Sequence, residues 1–142
     1  MAYSWDATLE TGYPKVDNQH KQLVSAVNNL MQANESGKGD KAVMETLDFL
    51  TGYAVKHFAD EEQLQRDYEY PDYLNHKRIH DEFKLVVNEF CKRVKNEGPT
   101  TELINEVSST IGAWLIHHIK GDDFLMAAYV STMDKDAMAS AE

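Results

Sequence analysis

The chain has a single cysteine, Cys91, in 142 residues, so no internal disulfide framework and no cysteine-based zinc or iron–sulfur site can be built from it. Three prolines and seven glycines are too few for a collagen-like or linker-rich polymer. No apolar run approaches the ~18 residues that a membrane span needs. Basic residues are also scarce: fourteen Lys and Arg stand against twenty-four Asp and Glu, giving a net charge of −10. A surface that acidic repels phosphate backbones and anionic headgroups, so neither nucleic acid nor membrane is expected as a partner. The start, Met-Ala-Tyr-Ser-Trp-Asp, lacks the basic and apolar stretches of a secretory leader, and the expected compartment is the cytoplasm.

What the sequence does have is helical periodicity. Apolar residues recur at steps of three and four in four segments, which places them on one stripe of a helix, the stripe that faces a partner. The first holds Val16, Leu23, Val27 and Leu30, and the second Val43, Leu47, Leu50, Ala54 and Leu64. The third holds Tyr73, Phe83, Val87, Phe90 and Val94, and the fourth Ile104, Val107, Ile111, Trp114 and, two turns past His118, Leu125. Between them lie Ser36-Gly37-Lys38-Gly39-Asp40, Tyr70-Pro71-Asp72 and Asn96-Glu97-Gly98-Pro99-Thr100, which stop and restart helices. Helices are therefore expected at about 18–36, 40–67, 72–97 and 100–130, the first capped by Asp17 or Asn18. Short connections make neighbours antiparallel, so the expected fold is all-α, an up-down-up-down four-helix bundle. Residues 1–17 read as an extended N-terminal arm, and the whole of 1–142 as one domain.

The stripes carry polar residues where core is expected. His20, His57, Glu61, His76, His80 and His118 occupy seam positions, and Asp123 follows His118 at a spacing of five, off strict helical phase. Alternating helix direction brings all seven to one layer of the bundle. Seven buried and unpaired groups would cost as much as the ~5–15 kcal/mol that holds a typical domain together, so something must compensate. His57 with Glu61, and His76 with His80, stand one turn apart on one face, as two side chains gripping one ion do. Five imidazoles and two carboxylates are too many for one zinc ion, which takes four ligands. They suit two ions with Glu61 and Asp123 as bridges. Adding an oxide or hydroxide bridge, one ion reaches six ligands and the other stops at five, with a position open to a small molecule. A nitrogen-rich, redox-capable pair points to iron. His117 lies about 100° round the helix from His118 and is left out.

These residues fall in recognisable strings: Asp17-Asn18-Gln19-His20, His57-Phe58-Ala59-Asp60-Glu61-Glu62, His76-Lys77-Arg78-Ile79-His80 and Trp114-Leu115-Ile116-His117-His118-Ile119-Lys120-Gly121-Asp122-Asp123. With the arm around Trp5 and Gly12, they resemble the hemerythrins, in particular the single-domain bacterial ones, across nearly the whole chain. The resemblance implies two iron ions per chain that bind O2 reversibly, for carriage, storage or delivery. It implies that His76, His80 and His118 hold one iron and His20 and His57 the other, with Glu61 and Asp123 bridging. The family carries an aromatic shortly after the bridging Asp; here Phe124 follows at once and the next tyrosine is Tyr129.

Leu23, Phe58, Leu115 and Ile119 each lie within one turn of a ligand and are expected to wall the O2 pocket on the side of the open iron. Glu62 and Gln19 lie where each either accepts from a ligand histidine or faces water. Beyond O2, the expected partner is an O2-consuming protein whose identity the sequence does not reveal, and the chain is expected to be a monomer and not an enzyme. Two other readings stay open: O2 or redox sensing through a separate partner, and a di-iron enzyme that reduces peroxide or nitric oxide. The ferritin-like enzymes use Glu-x-x-His motifs, and none occurs in this sequence.

Overall fold

The structure is a computed structural model that describes residues 2–141, with side chains through residue 134. Five helical segments build it: α1 (Pro14–Glu35), α2 (Asp40–Asp67), α3 (Tyr73–Glu97), α4 (Thr101–His118) and α5 (Phe124–Ala141). Between α4 and α5 the chain stays helical but widens into a π-turn over Ile119–Asp123, so the two segments form one long fourth column. The columns pack in sequence order, α1 on α2, α2 on α3, α3 on α4 and α4 back on α1, which is the expected antiparallel bundle.

Local chemistry explains the boundaries. Thr100 closes the start of α4 by accepting the Leu103 N–H at 3.2 Å. Gly39 and Gly98, at φ 96° and 84°, take backbone conformations that side chains with a Cβ disfavour, and so punctuate the start of α2 and the end of α3.

The first helix begins four residues earlier than expected. Pro14 starts it, where a missing N–H and a fixed φ cost nothing. Asp17 is therefore not the cap. Its carboxylate reaches backward instead, accepting from the N–H groups of Thr11 and Gly12 at 2.9 and 3.1 Å and from the Thr11 hydroxyl at 2.7 Å. The arm is correspondingly shorter, ending at residue 13, and carries a 3₁₀ turn at Ala7–Leu9 with Leu9 buried. It is tied to α1 by a reciprocal pair: Tyr3 N–H donates to Asn28 Oδ1 and Asn28 Nδ2 donates to the Tyr3 carbonyl, both at 2.8 Å.

The fourth column also departs from expectation below His118. Leu125 is 64 % exposed, whereas Met126, Ala127 and Val130 are fully buried. The π-turn carries one residue more than an α-turn, so everything after it is displaced from the phase set by Ile104–Trp114.

The core is in two unequal parts. A large apolar cluster runs from the arm through Leu30, Leu47, Val94 and Ile104 to Phe58, Leu115 and Ile119. A small one holds Val16, Met126 and Val130, covered by Tyr13, Leu64, Tyr68, Tyr70 and Tyr129. The layer of buried histidines and carboxylates lies between these two. Among the described residues no helix is long and apolar enough to cross a membrane.

Candidate metal centre

All seven polar seam residues lie in this layer: His20 on α1, His57 and Glu61 on α2, His76 and His80 on α3, His118 at the end of α4 and Asp123 at the end of the π-turn. Each is at most 1 % exposed. His117 points to solvent. In a regular α-helix five residues turn about 500°, which would put Asp123 about 140° away from His118. The π-turn, with its longer i to i+5 period, removes that mismatch and brings both to the interior.

The donors form two overlapping groups. One is His76, His80 and His118 with Glu61 and Asp123; the other is His20 and His57 with the same two carboxylates. Within each group every pair of donor atoms lies within 4.8 Å. Each carboxylate divides its oxygens between the groups. Glu61 Oε2 is 3.2 Å from His20 Nε2 and 2.9 Å from His57 Nε2, while Oε1 is 3.2 Å from His80 Nε2. Asp123 Oδ2 is 2.8 Å from His20 Nε2, while Oδ1 is 3.0 and 3.1 Å from His76 and His118 Nε2.

Of these short distances only that between His20 Nε2 and Glu61 Oε2 has hydrogen-bond geometry. Both Asp123 oxygens, Glu61 Oε1 and His57 Nε2 are buried without a properly directed hydrogen-bond partner among the described residues. The atoms point at common centres rather than at each other. The imidazoles sharpen this. His57 Nδ1 faces Gln19 Oε1 at 2.7 Å, His80 Nδ1 faces Glu62 Oε2 at 3.0 Å and His118 Nδ1 faces Asp122 Oδ2 at 3.0 Å. Those partners accept, so each ring carries its proton on Nδ1 and presents a bare lone pair at Nε2. Gln19 must turn its oxygen to His57, because its Nε2 donates to Asp60 Oδ2 at 2.8 Å. His80 Nε2 and His118 Nε2 then face each other at 3.0 Å, and two lone pairs at that distance need a cation between them. The donor set thus fits a pair of metal ions with bridging carboxylates.

Without metal, protons would fill the same role. Burial pushes the His20 imidazolium down, but Asp123 and Glu61 outweigh it and bring its pKa up to about 9. The same balance raises His76 to about 10, and His118, where Asp123 and Asp122 act together, to about 9. Burial also opposes the charged form of Glu61, and the imidazoles around it nonetheless hold its carboxyl well below the usual range. Asp123 is held low in the same way, against both burial and the neighbouring charge of Glu61.

Leu23, Phe58, Leu115 and Ile119 are all buried in the large apolar cluster. Phe58 sits differently from the others. It follows His57 by one residue, so it projects about 100° away. Its ring stacks on His80 at 4.1 Å and is 5.9 Å from His57, so it stands over the three-histidine group rather than the two-histidine end. Trp114, read from sequence only as core, stacks on His118 at 4.4 Å. The sequence reading also missed Asp122, although its i+4 spacing from His118 was the available signal. Gln65 was missed too. It lies one turn beyond Glu61, fully buried, with neither amide atom partnered among the described residues.

Residues 11–130 match the family described as the Hemerythrin HHE cation binding domain. The chain is 36 % identical over 129 residues to a bacteriohemerythrin of Pseudomonas aeruginosa, covering 91 % of this chain and 80 % of that one. It is 36 % identical over 122 residues to a myohemerythrin of Theromyzon tessulatum, covering 86 % and 88 %. A crystal structure of wild-type hemerythrin superposes with a TM-score of 0.82 at 26 % identity, over 92 % of this chain and 99 % of that one.

Proposed function

Since the chain belongs to the hemerythrin family, we propose that it binds O2 reversibly at two iron ions, for carriage, storage or delivery, and that it is not an enzyme. Two ferrous ions held there would supply the electrons that O2 takes up on binding and returns on leaving. His76, His80 and His118 hold one position and His20 and His57 the other. Glu61 and Asp123 would be shared between the two, together with an oxide or hydroxide, and the position with only two histidines would be the one left open to O2. One observation carries this reading: Glu61 and Asp123 each present one oxygen to each histidine group, so two ions are served by one pair of carboxylates.

The remaining residues keep the reaction reversible. Gln19, Glu62 and Asp122 fix the imidazole protons on Nδ1 and so aim Nε2 inward. Leu23, Leu115 and Ile119 line a dry wall, and Phe58 closes it over His80. Exclusion of water keeps bound oxygen from leaving in reduced form. The small cluster of Val16, Met126 and Val130 seals the layer from the other side. We place the protein in the cytoplasm as a monomer that hands O2 to a consuming partner.

Optical spectra of the reduced protein in argon, in air and again in argon test this reading. An oxygenated form that appears in air and vanishes in argon is expected. Catalytic consumption of O2 over many equivalents with excess mild reductant, and no persistent oxygenated form, would replace the carrier with an enzyme.

A further inference from the structure

The two histidine groups are backed differently on their outer sides. In the three-histidine group, His80 and His118 each give their Nδ1–H to a carboxylate, Glu62 and Asp122. In the two-histidine group, His57 gives its Nδ1–H to the neutral amide of Gln19, and His20 Nδ1 is buried without a partner among the described residues. Anionic backing is thus found at two of the imidazoles on one side and, among these contacts, at none on the other.

Asp122 reaches His118 by its i+4 spacing, and the π-turn adds Asp123 to the same imidazole. Two adjacent residues on an α-helix diverge by about 100°, yet here Asp122 and Asp123 both serve His118. Asp122 Oδ2 lies 3.0 Å from its Nδ1, and Asp123 Oδ1 lies 3.1 Å from its Nε2. The imidazole is held between two carboxylates, one at each ring nitrogen. Asp123 is wholly buried, while the Asp122 side chain keeps 38 % of its surface exposed. Trp114 stacked on the ring fixes the remaining freedom of His118. A carboxylate accepting from Nδ1–H orients an imidazole and makes its other nitrogen a stronger donor.

We infer that Asp122 is a positioning residue that strengthens His118 as a ligand, so that the three-histidine position binds its ion more tightly than the two-histidine position and the pair is unequal by construction. The inference rests on the metal-centre reading above and adds an order to it: the three-histidine position fills first and the two-histidine position remains the exchangeable one.

Zinc is a suitable probe because it is diamagnetic and redox-silent. Metal-free full-length protein is titrated with Zn2+ against a competing chelator, and the histidine ring protons are followed by NMR with nitrogen-15 labelling. The wild type is expected to take two ions in two separable steps. Asp122→Asn keeps an acceptor for His118 but removes the charge, and Asp122→Ala removes both. The tighter step is expected to weaken by roughly 10-fold in the Asn variant and by up to about 100-fold in the Ala variant, the range typical of lost outer partners. The weaker step should be unchanged. The His118 Nδ1–H signal should move upfield in Asp122→Asn and exchange away in Asp122→Ala, while the His57 signal, held by Gln19, stays put. If the Ala variant does not fold, the Asn variant alone decides. Wild-type affinities in the variants, or an equal loss in both steps, would overturn the inference. A wild type that takes fewer than two zinc ions and fewer than two iron ions would instead remove the metal-centre reading itself.

Discussion

The upper bundle, the part of the large apolar cluster around Leu30, Leu47, Val94 and Ile104, and the histidine layer are buried to the same degree but held by opposite means. Leu30, Leu47, Val94 and Ile104 are at most 2 % exposed, and so are His20, His57, Glu61 and Asp123. The upper residues are stabilised by leaving water, at about 25 cal/mol for each Å² of apolar surface. The layer gains little from leaving water, because its carboxylates and imidazoles lose hydration, and both Asp123 oxygens, Glu61 Oε1, His57 Nε2 and His20 Nδ1 find no hydrogen-bond partner among the described residues. Cations in it would offset that cost. One end of the molecule is therefore folded by its own side chains, and the other is completed by what it binds.

Removing metal should break this contrast most sharply. Ions that bind only the folded chain stabilise it by mass action, by about 4 kcal/mol for each ion present at a thousandfold excess over its dissociation constant. The metal-free protein should melt well below the loaded one by calorimetry. Amide exchange should rise first around His57–Glu61 and His76–His80, while Leu30 and Ile104 stay protected. Equal melting temperatures would contradict a cation-dependent layer.

Glu61→Ala should be the most damaging single change within the layer, because it removes a donor from both groups at once. Metal analysis should find fewer than two ions per chain and no binuclear spectrum. His118→Ala removes a donor from one group only and should spare the other ion. Leu30→Ala probes the opposite end. It should cost about 2–5 kcal/mol by chemical denaturation, the range for a truncated core leucine, and leave metal content at two. A large loss of metal in that variant would mean that the two regions are not separable.

Leu115→Ala tests where the regions meet. Opening the apolar wall should leave all seven ligands and the iron content intact. It should shorten the lifetime of the oxygenated form, measured by the decay of its spectrum. Acid should act on the layer in one direction. In the metal-free chain His20, His76 and His118 titrate near 9 to 10, so at pH 7 they carry protons that a metal ion must displace. Metal uptake in weakly buffered solution at pH 7 should release protons, and metal affinity should fall as pH falls. The smallest effect is expected at the top of the bundle. Thr100→Ala removes the cap of α4 and should cost ~1 kcal/mol, with no change in metal binding.

The bundle was legible in the sequence because its helices repeat one angular step, and that repeat survives in the spacing of Leu23, Val27 and Leu30 or of Val107 and Ile111. The meeting of the seven polar residues was legible for the same reason, since helix direction alone fixes their common height. Features that break the repeat were hidden. The one hint of a wider turn between Ile119 and Asp123 was the five-residue spacing of Asp123 from His118, and taken at regular phase Leu125 was expected inside and is outside. Asp17 and Asn18 look like caps, but the helix starts on Pro14 and Asp17 bonds to the segment before it. The outer partners of the imidazoles depend on side-chain rotation, so Gln19 and Glu62 could be placed only as candidates, and Asp122 was overlooked.

The π-turn also gives the fourth column one residue of slack. Elsewhere a single deletion inside a helix would turn everything beyond it by about 100° and put core residues into water. Within Ile119–Asp123, losing one residue ahead of Asp122 would let the chain close into an ordinary helix. The bridging aspartate would then stand four residues from His118, still on the inner face, and Met126 and Val130 would keep their orientation to it. What would disappear is the spare place from which Asp122 reaches the outer nitrogen. Length tolerance in this chain is thus concentrated at one point beside its metal layer, and a shortening there is expected to yield a folded bundle with an altered centre rather than an unfolded chain.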